Sequence, residues 1–256
     1  MKSLWNSMIS TLASYSILPL PHKELTEENS KYQLCFFPLI GVVIGALLCG
    51  WNVAWPYLCN YPLLPAVVFV VVPVVVSRGV HMDGFIDTVD AICSHKPMEC
   101  KLEILKDTHV GSFAMIMLLA YFLIALGVWS EMPIDAIPVL AVGFVLSRAL
   151  NGLAIVTFPH AKTSKNKLFP YTMPPEQKRI TRIVMILYIA ACVALMIYLQ
   201  PLYGSIGAAG AFLSYGYYYI MSKRHFGGIT GNVTGYFVQV CELIIPCVVL
   251  VAWKFL

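Results

Sequence analysis

Three carboxylates, Asp83, Asp87 and Asp90, fall within eight residues of one another in the run Arg78-Gly-Val-His81-Met-Asp83-Gly84-Phe-Ile-Asp87-Thr88-Val-Asp90-Ala91. At about 3.6 residues per turn, offsets of four and seven residues return to nearly the same angle, so a helix over this run puts all three on one face. Three adjacent anions repel one another. A bound hard cation removes the repulsion, and carboxylate oxygens beside substrate phosphates are the usual setting for Mg2+. Solvent exposure at an acidic helix start also removes it, and the motif alone leaves both readings open.

Further groups could serve the same chemistry. The chain continues Glu99-Cys-Lys101-Leu-Glu103-Ile-Leu-Lys106-Asp107-Thr108-His109-Val-Gly111-Ser112, helical in pattern up to the glycine. Two helices then flank one pocket, where Lys106 could contact a phosphate and Asp107 a metal. A snorkelling anchor at the membrane edge is the plainer role for Lys106. His81 lies off the carboxylate face and is open to three roles: general base, phosphate donor or interfacial residue. Arg148 and Asn151 fall inside an apolar run, where a charge faces the bundle interior, a partner or a water-filled cavity. The anion for Arg148 is either Glu242, in a structural ion pair, or a substrate phosphate, with a slight lean to the phosphate. The glycine-rich stretch from His225 to Gly235 holds Gly228, Thr230, Gly231 and Asn232, whose backbone N–H groups could cradle an anion. Its spacing matches neither the P-loop nor the dinucleotide fingerprint.

The elements that must position these groups are membrane helices. The chain is 59 % hydrophobic and 12 % charged, with mean hydropathy +0.77, too little polar surface for a soluble domain. Apolar stretches run approximately from Leu34 to Trp55, Tyr61 to Val76, Gly111 to Trp129, Ile137 to Val156, Ile183 to Leu199, Leu202 to Met221 and Tyr236 to Val251. The expected architecture is an all-α, polytopic helical bundle of about seven transmembrane helices, one membrane domain over residues 1–256 with no internal repeat.

Basic residues alternate across these stretches. Lys2, Lys23 and Lys31 precede the first; Arg78, Lys96, Lys101 and Lys106 lie between the second and third. Lys162, Lys165, Lys167, Lys178, Arg179 and Arg182 follow the fourth, and Lys223 with Arg224 follows the sixth. The connections Pro56 to Asn60, Ser130 to Asp135 and Gln200-Pro201 hold no Lys or Arg. Short cytoplasmic loops are the basic ones, so the N-terminus and every loop with chemical character are expected in the cytoplasm and the C-terminus outside. The formal charge of +4 is spread over these loops, which speaks against a nucleic-acid surface. No secretory signal pattern opens the chain. Instead Leu4, Trp5, Met8, Ile9, Leu12 and Tyr15 recur at helical spacing, either as an interfacial helix ended by Pro19 and Pro21 or as a packed one. The eight cysteines include no CxxC pair and read as small buried hydrophobes. A zinc site from Cys93, His95, Cys100 and His109 fits no established ligand spacing.

In this order the motifs resemble the integral-membrane cobalamin (5'-phosphate) synthases, also called adenosylcobinamide-GDP ribazoletransferases. The resemblance covers most of the chain and rests on Phe37-Pro38-Leu-Ile-Gly41, the run from His81 to Ala91, Leu102-Glu103-Ile-Leu-Lys106-Asp107-Thr-His-Val-Gly111, Ser147-Arg148 and Gly228-Ile-Thr230-Gly231-Asn232-Val-Thr-Gly235. The chain departs at Asn232, where the family usually has aspartate, and at Lys162, where arginine is frequent. The resemblance implies a transferase that joins adenosylcobinamide-GDP to alpha-ribazole or its 5'-phosphate and releases GMP. It implies Mg2+ held by Asp83, Asp87 and Asp90 with Asp107 as a further contact, and Lys106 and Arg148 as phosphate charges. His81 or a carboxylate would take the proton. The implied setting is a bacterial or archaeal cytoplasmic membrane, with homo-oligomerisation left open.

Other classes fit less well. CDP-alcohol phosphotransferases need an aspartate where Val80 stands and an Ala-Arg after the glycine that Gly84 lacks; membrane prenyltransferases carry two acidic motifs. A cation-coupled transporter would hold its carboxylates near the bilayer midplane in broken helices. The loop charges generate a topology prediction: tags at the N-terminus and near Lys96, Lys165 and Lys223 report cytoplasm, and a tag after Leu256 reports the outside. A cytoplasmic C-terminus would refute the assignment of spans.

Overall fold

A computed structural model describes residues 2–20, 32–58, 63–161 and 173–256. Pro21, Lys23, Lys31, Cys59, Lys162, Lys165 and Lys167 lie outside the described residues. The elements are α1 (Lys2–Tyr15), α2 (Gln33–Phe36), α3 (Pro38–Ala54), α4 (Leu63–Val76), α5 (Val80–Cys93), α6 (Met98–Ile104), α7 (Ser112–Ser130), α8 (Ile137–Thr157), α9 (Pro175–Leu199), α10 (Pro201–Phe226) and α11 (Gly231–Phe255). Proline opens α3, α9 and α10 at the first turn, where no backbone N–H is needed. The Thr230 side chain caps α11 by accepting from Val233 N at 3.3 Å.

The protein is a multi-pass membrane protein. Among the described residues five helical segments are long and apolar enough to cross a bilayer: Gln33–Tyr57, Ser112–Ser130, Ile134–Thr157, Pro175–Leu199 and Gly231–Phe255. A sixth forms only if α4 and α5 count as one broken span, bent by 92°. The expected sixth span, Leu202 to Met221, corresponds to α10, 26 residues long, whose glycines and tyrosines lower its hydropathy; the expected seventh lies within α11. By length and composition alone the described residues give five or six spans beside the seven expected. The central helix is α8, with 83 % of its apolar stretch buried inside the protein against 22 % for α7 and 28 % for α9.

The N-terminal helix is packed, through a face the hydrophobic pattern did not mark. Ser7, Ser10, Thr11 and Ser16 are buried. Thr11 Oγ1 donates to Ser7 O and Gln33 O at 2.7 and 2.9 Å, and Gln33 Nε2 donates to Ser10 Oγ at 2.7 Å. Beyond α1, Ile17 N donates to Val76 O at 2.9 Å. The bonded hydroxyls allow this polar face inside, while Leu4 and Trp5 face outward, Trp5 61 % exposed.

Between α4 and α5 the chain turns at Ser77-Arg78-Gly79, where Arg78 and Gly79 take φ of 54° and 71°. That left-handed pair breaks the helix and lets α5 leave at a steep angle. Ser77 is held from within the bundle: its Oγ accepts from Arg148 NH2 at 3.1 Å. The same guanidinium is fully buried, pairs with Glu242 on α11, and donates to Phe144 O at 2.9 Å. Ser147 Oγ adds a bond to Glu242 at 3.1 Å. Arg148 is thus a structural tie between α8, α11 and the α4–α5 turn, and the lean towards a substrate phosphate is corrected: its anion is Glu242.

Breaking a buried pair on one side strands a charge at a cost of about 3–5 kcal/mol. Arg148→Met and Glu242→Met should each lower the melting temperature in detergent, and the double variant should recover most of the loss. Additive losses in the double-mutant cycle would refute the tie.

Candidate active site

The starts of α3 and α11 and the end of α8 meet at one end of the bundle, and α5 lies there. At 14 residues it is about 21 Å long, short of a hydrocarbon core of about 30 Å, and we read it as outside the spans. It crosses α11 with almost nothing between the backbones. A Cβ on Gly84 would stand 2.6 Å from the Asn232 carbonyl oxygen, and one on Gly235 would stand 3.1 Å from the His81 carbonyl oxygen. Phe85 stacks on Tyr236 beside this crossing, centroids 5.6 Å apart.

The crossing places α11 against the acidic face. Asn232 Nδ2 donates to Asp87 Oδ2 at 2.6 Å and to the Leu105 carbonyl at 2.9 Å, so one amide joins α5, α11 and the end of α6. An aspartate at 232 could make neither bond when ionised. Burial, then the Asp83 and Asp90 carboxylates, push Asp87 up to about 6, against the opposing bond from Asn232. The expected shared face is therefore real electrostatically, with Asp83 exposed and its two neighbours half-buried. The Asp90 carboxylate sits where a Cβ on Gly111 would be, 2.0 Å from Oδ1.

As the side chains stand, no three His, Cys, Asp or Glu residues among the described ones form a group that could hold a metal ion. Cys93, His95, Cys100 and His109 form no such group either. The donor chemistry of the α5 face, three carboxylates crowded around one half-buried position, nonetheless fits a hard divalent cation, which relieves such repulsion.

Beside the acidic face opens a cavity of about 220 Å³, lined by Tyr15, Gln33, Leu34, Phe37, Val80, His81, Asp83, Asn151, Ile155, Gly231, Asn232, Thr234 and Gly235. Two buried polar atoms of its lining residues, His81 Nε2 and Asn151 Oδ1, have no hydrogen-bond partner. Burial, and secondarily Arg148, push His81 down to about 3, so near neutrality it is an uncharged hydrogen-bonding group and a poor base.

The remaining expected site residues divide. Lys106 is exposed, next to the Leu105 carbonyl that holds Asn232. Asp107 is turned to His109, accepting from its backbone N at 3.0 Å and meeting Nδ1 at 2.7 Å, so the structure does not bring it to the other three aspartates. The anion cradle at Gly228 is corrected. Gly227 N and Gly228 N cap α10 on Lys223 O and Ser222 O, and Ile229 N donates to Pro159 O at 2.9 Å. Gly228 itself, at φ 154°, presses on the Pro159–Ala161 backbone, where a Cβ would come within 2.5 Å of Pro159 O. Thr230 is the buried cap of α11, whereas Gly231 and Asn232 do line the cavity. The sequence reading missed Tyr15 and Gln33 as wall residues, because nothing in a polar-faced N-terminal helix marks where it docks.

Comparison with known proteins now bears on this arrangement. The sequence model of the family described as cobalamin-5-phosphate synthase matches residues 7–250. The chain belongs to this family. Among its relatives, the adenosylcobinamide-GDP ribazoletransferase of Lachnoclostridium phytofermentans is 38 % identical, covering 96 % of this chain and 94 % of its own length. Proteins of the same name from Clostridium botulinum and Chlorobaculum parvum are 28 % and 26 % identical, covering 95 % and 93 % of this chain and 96 % and 92 % of theirs. No solved structure matches the chain. The cobalamin-5-phosphate synthase match takes in α5, the α11 crossing and every residue of the cavity wall.

The two glycine contacts differ in what must yield. Gly84→Ala drives a Cβ into backbone and should cost about 1–3 kcal/mol, roughly 2–10 °C in melting temperature for a chain of this size. Gly111→Ala displaces only the Asp90 carboxylate and should leave melting nearly unchanged. Equal melting of Gly84→Ala and the parent protein would disprove the close crossing.

Proposed function

We propose that this end of the bundle joins adenosylcobinamide-GDP to alpha-ribazole or its 5'-phosphate, giving adenosylcobalamin or its 5'-phosphate and GMP. The observation that carries the reading is the shared wall of the acidic face and the cavity at Asp83 and Asn232, in a chain matched over 7–250 to cobalamin-5-phosphate synthases. In this exchange the ribose 3'-hydroxyl attacks the phosphorus bearing the corrinoid aminopropanol, a new P–O bond forms, and the pyrophosphate bond to GMP breaks.

The chain's own residues then have separate tasks. Asp83, Asp87 and Asp90 hold Mg2+, which when bound supplies charge neutralisation on phosphate oxygens. Asn232 keeps Asp87 in place through its amide hydrogens. His81, neutral and buried, hydrogen-bonds substrate, and the hydroxyl proton passes to a carboxylate of the cluster, Asp83 being the one on the cavity wall. Lys106 offers a cation to the departing phosphate from the end of α6. The site faces the cytoplasm of a bacterial or archaeal cell from its cytoplasmic membrane, in keeping with the basic loops beside it.

Detergent-solubilised protein should release GMP from adenosylcobinamide-GDP when alpha-ribazole is added. Asp83→Asn, Asp87→Asn and Asp90→Asn should each lower turnover by about 100-fold or more without loss of folding. A strong chelator should abolish activity and Mg2+ or Mn2+ restore it. Full activity in chelator, or in all three variants, would sink the metal assignment.

A further inference from the structure

Two residues of the cavity wall carry buried polar atoms without a hydrogen-bond partner. Asn151, 2 % exposed, leaves its Oδ1 without a donor, and His81, 5 % exposed, leaves Nε2 without a partner. A buried polar atom left unpaired is costly, so a ligand that supplies the missing bonds gains by entering. An amide oxygen can only accept. An ionised phosphate has no hydrogen to give it, whereas a sugar hydroxyl has.

Charge points the same way. Among the described lining residues no Lys or Arg side chain occurs, and the carboxylate is Asp83; a phosphate inside would meet that anion, with the backbone N–H groups at the start of α11 to offset it. Leu34, Val80 and Ile155 supply apolar wall, and Tyr15, Phe37 and His81 meet edge to face with centroids 5.6 and 5.7 Å apart. That surface suits a flat, largely apolar heteroaromatic ring. At about 220 Å³ the cavity lies below the range of roughly 300–1,000 Å³ for drug-sized ligands, room for part of a substrate rather than the whole of one.

We propose that the cavity is the acceptor site, taking the uncharged base and ribose of a benzimidazole-type nucleoside, with ribose hydroxyls on Asn151 Oδ1 and His81 Nε2 and any 5'-phosphate outside the cavity. The inference rests on the transfer reading above and adds which substrate goes where. It presents the ribose to Asp83 and Asn232, the residues common to the cavity wall and the acidic cluster.

The test varies the two substrates separately while GMP release is followed, using alpha-ribazole and its 5'-phosphate in parallel, on the parent protein, Asn151→Leu and Phe37→Leu. Either variant should raise KM for both acceptors alike by about tenfold or more, with KM for adenosylcobinamide-GDP unchanged. If Asn151→Leu does not fold, as judged by thermal melting, Phe37→Leu carries the comparison. A rise confined to adenosylcobinamide-GDP would give the cavity to the nucleotide and overturn the proposal. Unchanged acceptor KM in both variants would make it a solvent cavity and overturn it as well. A rise for the 5'-phosphate alone would place the phosphate inside, again against the proposal. Calorimetric binding of alpha-ribazole to the parent protein, lost in the variants but accompanied by no GMP release, would overturn the transfer reading and leave the acceptor site standing.

Discussion

Everything chemical in this protein depends on two helices touching through glycine. Where Gly84 and Gly235 meet, the backbones of α5 and α11 approach so closely that a single Cβ has no room. From that contact follow the reach of Asn232 to Asp87 and the wall that Asp83 and Asn232 share with the cavity. The site uses that close approach to fix its geometry.

The crossing could not hold by itself at the end of a bundle. Arg148 stiffens it from below by tying α11, through Glu242, to the Ser77 turn that launches α5. A buried ion pair adds little net stability once desolvation is counted. Here its directed hydrogen bonds set the register of three elements, and the charge does so without facing lipid. The polar face of α1 continues the same logic, since its hydroxyls are spent on Gln33 and on its own turn.

The sequence carried the helical character, the acidic face and the family, because these are periodic or local: an i, i+4, i+7 set of carboxylates reads as a face wherever the helix ends up. It did not carry partner choice. Arg148 was compatible with Glu242 or a phosphate, and only three-dimensional placement decides between charges that lie ninety-odd residues apart. Gly228 looked like an anion cradle because glycine spacing marks open backbone but not which carbonyls will occupy its N–H groups. Asp107 follows a recognisable motif and yet turns to His109, two residues away, a local bond that spacing from the acidic run cannot reveal. The expected count of seven includes α10, whose tyrosines and glycines make a long helix only moderately apolar.

The first helix has a double allegiance. Trp5 points out of the protein, ten residues from Tyr15 on the cavity wall, a separation of about 15 Å along the axis. One short rod therefore carries an outward tryptophan near one end and a residue of the cavity wall at the other. A shortened form lacking α1 would therefore lose part of the cavity wall together with the polar face that docks on Gln33.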